Sequence, residues 1–250
     1  MHHFGHTRSV READHFLLTP ETFVRAPLPG MHKATAIVHA SPASGAAFTQ
    51  YTAELEIGGS LGQAAAQRFL YVLEGELILS HAGEERRLRS ERYAYIPAED
   101  KPRVLAARAS RVAVIEKPYQ PLPGLKPPAF FVGEEQNIAP QPLQGDEALQ
   151  VRTLIPDDPV FDFAVNTMTY QPGASLPMVE IHVMEHGLLM LAGGGIYRLG
   201  EKWYPVTAGD FIWMAPYCPQ WFGALGKVPS KYLIYKDWNR HPLANYVPAR

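Results

Sequence analysis

Alternation of hydrophobic and polar positions is the main pattern along this chain. In the segment FTQYTAELEI, Tyr51, Ala53 and Leu55 alternate with polar residues, which is typical of a strand that buries one face. The segment RFLYVLEGELILSHAG repeats this pattern on both sides of Glu74 and Gly75 and predicts a hairpin there. Further alternating segments, such as FDFAVNTMTY, follow at short intervals. The pattern therefore predicts an all-β chain of many short strands.

The strand pattern occurs twice. Val72 to Gly75 aligns with Met190 to Gly193 at a spacing of 118 residues, which indicates an internal duplication. A proline-rich stretch with almost no periodicity separates the halves and predicts an extended connector. We predict an N-terminal arm over residues 1–45 that covers a sheet edge, and a first β domain over 46–117. A linker over 118–145 and a second β domain over 146–250 follow.

Composition supports strands and turns over long helices, because the 250 residues include 23 Pro and 20 Gly and are 46% hydrophobic. The net charge of -2 argues against a nucleic-acid or membrane partner. No leader pattern and no run of about 18 apolar residues is present, so we expect a cytoplasmic protein. The single cysteine, Cys218, fits a reducing compartment and is expected to pack in the core.

Potential metal ligands are densest in the segment PMVEIHVMEHG. If it is a strand, Glu180, His182 and His186 share one face, since alternate residues point the same way. A single strand histidine is usually structural, but two with a carboxylate favour a metal site. Imidazole and carboxylate ligands suit Mn, Fe, Ni, Cu or Zn.

The same residues also match a second metal-binding motif. His182, Glu185 and His186 form H-x-x-E-H, a helical zinc pattern in which the glutamate is a general base. Gly187 would interrupt that helix, and the flanking segments have the strand pattern. The helical alternative is therefore disfavoured.

The spacing of these ligands resembles that of the cupins. Glu180, His182, His186 and the following Gly193 match the spacing of the first cupin motif, with His and Glu exchanged at the outer positions. Gly209 and Asp210 match the start of the second motif.

The end of the second motif narrows the resemblance. Gln220 stands at its histidine position, whereas Ala215 and Tyr217 stand where Pro and Gly are usual. A set of Glu, two His and Gln is similar to that of the (S)-ureidoglycine aminohydrolases, which are bicupins. The segments HFLLTPETFV and KDWNR also resemble that family.

This resemblance implies two tandem double-stranded β-helix (jelly-roll) barrels and Mn²⁺ as the cofactor, with another divalent metal as an alternative. It implies hydrolytic release of ammonia from (S)-ureidoglycine in allantoin and purine breakdown, by a homo-oligomer acting on a small anionic ureido substrate. Under it, Lys236 and Glu180 are catalytic and bind substrate together with Tyr197 and Tyr232. The metal ligands it implies are Glu180, His182, His186 and Gln220.

The first domain is expected to be free of metal, because the positions aligned with the four ligands, Gly62, Ala64, Arg68 and Pro102, offer no usual metal ligand. Other possibilities stay open, since fold does not fix function. They are another metal-dependent cupin enzyme, such as a dioxygenase or isomerase, and a bicupin that binds a small ligand without turnover.

Overall fold

A computed structural model describes residues 6–240; residues 1–5, which hold most of the histidine-rich start, and 241–250 lie outside the described part. In residues 6–240 there are twenty strands and three short 3₁₀ helices, and no α-helix. The predicted all-β class is confirmed. The chain divides into two compact units. We call Val24–Ala139 the N-terminal unit, and Met1–Phe23 with Pro140–Arg250 the C-terminal unit.

The N-terminal unit is built on one antiparallel sheet of nine strands, in the order β11-β8-β5-β10-β4-β9-β6-β7, with β3 paired to β4. Its core is a cluster of apolar side chains from the inward face of these strands. The strands are β3 (His32–Ala40), β4 (Thr49–Ser60), β5 (Gln67–Glu74), β6 (Glu76–His81), β7 (Glu84–Arg89), β8 (Arg92–Ile96), β9 (Arg103–Ala106), β10 (Ser110–Lys117) and β11 (Phe131–Glu134).

The C-terminal unit has two antiparallel sheets, one of eight strands in the order β1-β2-β18-β15-β20-β14-β13-β12 and one of three in the order β17-β16-β19. Its strands are β1 (Val10–Arg11), β2 (His15–Leu18), β12 (Gln141–Leu143), β13 (Asp146–Thr153), β14 (Phe163–Tyr170), β15 (His186–Ala192), β16 (Gly194–Leu199), β17 (Lys202–Thr207), β18 (Phe211–Met214), β19 (Gln220–Ala224) and β20 (Ser230–Asp237).

The two units share one strand pattern. The order β8-β5-β10-β4 in the first matches β18-β15-β20-β14 in the second, and β9-β6-β7 matches β19-β16-β17. A glycine with positive φ follows β5 and β15 alike, Gly75 at 88° and Gly193 at 64°. A Cβ on either would lie 2.3 to 2.6 Å from a carbonyl oxygen, so neither position tolerates a side chain. These matched corners support the internal duplication.

The hairpin predicted around Glu74 and Gly75 is wrong. Strand β5 pairs with β8 and β10, whereas β6 pairs with β7 and β9. Gly75 is therefore a corner at which the chain leaves one set of partners for another. Alternation predicts both strands correctly, but it does not specify partners, because each strand would bury the same face in either arrangement.

The segments outside the repeated strands also acquire structure. The stretch treated above as one arm is divided, with β1 and β2 in the C-terminal unit and β3 in the N-terminal unit. The predicted connector contains β11, which pairs with β8, and β12, which pairs with β13. No helix in residues 6–240 has the length and apolar character needed to cross a bilayer.

Candidate metal centre

Glu180 and Gln220 are neighbours in the C-terminal unit. Their backbones exchange two hydrogen bonds, from the Glu180 amide to the Gln220 carbonyl at 2.8 Å and from the Gln220 amide to the Glu180 carbonyl at 2.9 Å. Gln220 opens β19 and is buried, whereas the Glu180 side chain is 19% exposed. This isolated bridge places side by side two predicted ligands that come from separate sequence motifs.

The two histidines lie beside this bridge. His182 Nε2 is 3.1 Å from Glu180 Oε2, and the rings of His182 and His186 contact edge to face with centroids 5.4 Å apart. His186 is the first residue of β15 and pairs with Lys236 on β20. The structure therefore brings together the two imidazoles and the carboxylate, with Lys236 next to them.

The segment that carries these residues is not one continuous strand, contrary to the simplest expectation. Glu180 lies at an isolated bridge, residues 181–185 form a bend with no strand, and only His186 enters β15. The bend is held at its end because the Glu185 amide donates to an Asp237 carboxylate oxygen. The helical H-x-x-E-H alternative does not hold either, since His186 is in a strand and Glu185 accepts a hydrogen bond from Trp213 Nε1 at 2.7 Å.

The donor atoms fit a divalent ion in their chemistry. Burial lowers the pKa of His186 well below its usual range, and the positive charge of Lys236 adds to this effect. The ring is therefore neutral, which is the form that binds metals. His186 Nδ1 is buried without a hydrogen-bond partner. Together with a carboxylate oxygen, a second imidazole and an amide oxygen, the His186 ring makes a set of donors suited to a divalent metal.

Lys236 is the positively charged group of the site. It lies on β20 between His186 on β15 and Ala164 on β14, and its side chain is partly buried. Burial lowers the pKa of Lys236, while the negative charge of Glu180 opposes that shift. The ammonium is thus closer to losing its proton than a lysine in water.

Three buried tyrosines place their hydroxyl groups in the core of the C-terminal unit, and one of these hydroxyls contacts Gln220. Tyr197 Oη is 3.5 Å from Gln220 Oε1, and Tyr232 Oη is 2.8 Å from Tyr170 Oη. All three rings are fully buried, and burial raises the pKa of each well above its usual value. They therefore stay protonated and can donate hydrogen bonds.

Sequence reasoning missed Tyr170. Met168 and Tyr170 of β14 belong to the core cluster that also contains Tyr232, but both odd and even positions of this strand are buried, so alternation does not single Tyr170 out. The pairing of β14 with β20 then places Tyr170 beside Tyr232, which the sequence alone does not reveal.

At the matching place in the N-terminal unit lies an ion pair. Arg68 Nη2 is 2.6 Å from Glu116 Oε1, and Arg68 Nη1 donates to the Gly62 carbonyl at 2.9 Å. Arg68 pairs with Glu116 across β5 and β10 as His186 pairs with Lys236 across β15 and β20. A guanidinium therefore lies where the C-terminal unit has an imidazole.

Comparison with known proteins identifies the family of this chain. A cupin-domain family model matches residues 166–235. The rice (Oryza sativa subsp. japonica) "Probable (S)-ureidoglycine aminohydrolase" is 41% identical over 96% of this chain and 78% of its own length. The (S)-ureidoglycine aminohydrolase of Arabidopsis thaliana is 40% identical over 96% of this chain and 80% of its own length.

A solved structure agrees in fold. The crystal structure of a Pseudomonas aeruginosa protein named for induction by glyoxylate has a TM-score of 0.88 and 32% identity, covering 98% of this chain and 94% of that one. The fold and the site thus define a bicupin. With about two fifths of its residues identical to the plant enzymes over most of both chains, this protein belongs to the (S)-ureidoglycine aminohydrolase family.

Proposed function

We propose that this protein hydrolyses (S)-ureidoglycine to (S)-ureidoglycolate and ammonia in allantoin and purine catabolism. The observation that carries the proposal is the grouping of Glu180, His182 and His186 with Gln220 and Lys236 in the C-terminal unit of a family member. The names of the plant relatives supply the substrate. The family and the residues therefore support the same chemistry.

We further propose that Glu180, His182, His186 and Gln220 hold Mn²⁺. Mn²⁺ prefers oxygen ligands such as a neutral amide and a carboxylate. Metals that prefer thiolate ligands suit this set less well. When bound, such an ion polarises substrate bonds or lowers the pKa of a coordinated water. Two of these donor atoms, His182 Nε2 and Glu180 Oε2, lie 3.1 Å apart in the structure.

The remaining roles belong to the side chains around the ligands. The substrate carries a carboxylate, an α-amine and a ureido group. Lys236 pairs with the carboxylate or exchanges protons with the departing amine, and its lowered pKa favours the second role. The protonated hydroxyls of Tyr197 and Tyr232 hold the polar ends of the substrate. Glu180 is the candidate base for water addition.

Two reaction courses satisfy these roles. Water displaces the amine directly, or ammonia leaves first to give an imine that is then hydrated. In the second course the proton given to the leaving amine comes from Lys236, and a base such as Glu180 deprotonates the incoming water. A Lys236→Met variant that still hydrates a preformed imine but releases no ammonia from ureidoglycine would assign Lys236 to the leaving group.

Turnover by purified protein is the direct test. Manganese-loaded protein is mixed with freshly generated ureidoglycine, and ammonia release and product chirality are followed against the spontaneous decay. We expect one product enantiomer and a rate well above decay, with both lost in Lys236→Met. A rate equal to decay would reject the proposal. Oxygen consumption by an iron-loaded form would instead favour a dioxygenase, and ligand retention without turnover would favour a binding protein.

We also propose that the protein is a cytoplasmic homo-oligomer, as the resemblance implies. Sedimentation of the full chain measures the stoichiometry. A monomer at micromolar concentration would contradict this assembly without affecting the proposed reaction.

A further inference from the structure

A second group of possible ligands lies in the C-terminal unit, away from the centre described above. Among the His, Cys, Asp and Glu side chains of residues 6–240, the donor atoms of Asp14, His15 and Cys218 all lie within 4.8 Å of one another. We propose that these three residues form a second metal site, for a thiolate-binding divalent ion such as Zn²⁺. Neither the cupin motifs nor the proposed reaction uses any of them.

The fold builds this group from two distant parts of the chain. His15 opens β2 and pairs with Met214 at the end of β18. Past that point the Ala215 amide donates to the Asp14 carbonyl at 2.8 Å, and the Cys218 amide donates to the Ala215 carbonyl at 3.1 Å. These backbone bonds fix the three side chains on a common scaffold, as a metal site requires.

The distances suit a small ion. Zinc binds carboxylate oxygen, imidazole nitrogen and thiolate sulfur at about 2.0 to 2.3 Å, so tetrahedral ligands lie about 3 to 4 Å apart. Asp14 Oδ1 and His15 Nδ1 are already 2.8 Å apart. This hydrogen-bonded pair would open slightly to hold an ion, and the Cys218 sulfur lies within 4.8 Å of a donor atom of each residue.

The other nitrogen of the imidazole has the partner that metal-binding histidines usually have. His15 Nε2 lies 2.9 Å from the hydroxyl oxygen of Tyr204. With an ion on Nδ1, the ring proton sits on Nε2 and is donated to that oxygen, which fixes the tautomer. Binding then releases the proton of the Cys218 thiol and leaves a thiolate as the soft ligand.

Burial gives the group a closed side and an open side. The side chain of His15 is 3% exposed and Cys218 is buried, whereas the Asp14 side chain is 46% exposed. An ion can therefore enter beside Asp14 and keep a position for water. Three protein ligands and one water complete a tetrahedral zinc site.

The thiolate separates this site from the manganese centre. Sulfur ligands favour zinc, whereas the carboxylate and amide oxygens of Glu180 and Gln220 favour manganese. Cys218 lies two residues before Gln220, so an ion on Cys218 would tether the loop over residues 215–219 to β2. The loop that leads to Gln220 would then be less mobile.

Cobalt titration tests the site, because cobalt bound to a thiolate gives an intense near-ultraviolet charge-transfer band. Cys218 is the only cysteine in the chain, so any such band reports this residue alone. Manganese-loaded full-length protein is titrated with Co²⁺ and then with Zn²⁺. We expect a band that saturates at one cobalt per chain, is removed by one equivalent of zinc, and is accompanied by a higher melting temperature.

Matched variants distinguish a built site from a bare thiol. Cys218→Ser should abolish the band. His15→Gln keeps a donor for Tyr204 but lacks Nδ1, and Asp14→Asn changes a half-exposed group, so each should weaken cobalt binding at least about tenfold. Glu180→Gln should leave the band unchanged. Absence of a band in the wild-type protein, or unchanged cobalt affinity in folded His15→Gln and Asp14→Asn, would overturn the proposal.

Discussion

Glu180 and Gln220 are joined by a pair of backbone hydrogen bonds of 2.8 and 2.9 Å, so the fold holds their side chains together whatever those side chains are. The backbone thus sets where the side chain at position 180 begins, and the residue type sets its chemistry. Substitution at either position can therefore change the ligand set without removing the bridge that holds it.

Glu180→Gln should change the chemistry of this side chain without changing its position. The amide keeps the size of the side chain and the backbone bridge, but removes the negative charge that faces His182 and Lys236. We expect manganese affinity and kcat/KM for ureidoglycine each to fall at least about 100-fold, or about 2.7 kcal/mol. Manganese titration and the ammonia assay measure both, and an unchanged melting temperature of the metal-free protein serves as the control.

Tyr170→Phe tests the residue that sequence reasoning missed. The variant leaves the buried Tyr232 hydroxyl without its 2.8 Å partner, which should cost about 1 to 3 kcal/mol of unfolding free energy. If Tyr170 positions Tyr232 for substrate, KM should also rise several-fold. Tyr51→Phe is the matched control, because it removes a hydroxyl bonded to Glu116 at 2.9 Å in the N-terminal unit. Equal effects on KM in both variants would contradict a positioning role for Tyr170.

The alternation of apolar residues predicts the strands well, since it depends only on which residues enter the core. The segment Phe48–Ile57, for example, lies largely within β4. Strand partners are set by contacts far apart in sequence. For that reason the predicted hairpin at Gly75 is wrong, although both of its strands exist.

The candidate site shows the same limit. Motif spacing selected Glu180, His182 and His186, and the structure brings them together, but through a bridge and a bend instead of one strand. Periodicity cannot reveal such a path, because residues 181–185 are positioned by contacts such as that between the Glu185 amide and Asp237. The grouping of Asp14 with Cys218 depends on the pairing of β2 with β18, which no local pattern encodes.

Arg8→Ala should destabilise the C-terminal unit more than an ordinary surface substitution. Arg8 donates to both carboxylate oxygens of the fully buried Asp210, at 2.7 and 2.8 Å. Its removal leaves a buried charge with less compensation, at a cost of about 3 kcal/mol. Arg25→Ala breaks the more exposed pair with Glu54 and should cost less than about 1 kcal/mol. Urea unfolding compares the two, and equal costs would show that Arg8 does not stabilise Asp210.

Acid should weaken the N-terminal unit through His39. Burial lowers the pKa of His39 to about 3, and the positive charge of Arg111 adds to the shift, while His39 Nε2 stays 2.8 Å from Thr52 Oγ1. An unfolded histidine has a pKa of about 6.5, so between about pH 6.5 and pH 3 the unfolded chain binds a proton that the folded chain does not. The stability conferred by the neutral ring is complete above pH 6.5 and declines by about 1.4 kcal/mol per pH unit below it.

His39→Gln should remove this dependence, because the amide can replace the bond to Thr52 and does not titrate. We expect the unfolding free energy of the variant, measured in urea at pH 7.5 and pH 5, to fall between the two pH values by about 2 kcal/mol less than that of the wild type. His32→Gln changes an exposed histidine on the same strand and should leave the wild-type difference intact. A wild-type pH dependence that persists in His39→Gln would show that other groups cause the acid destabilisation.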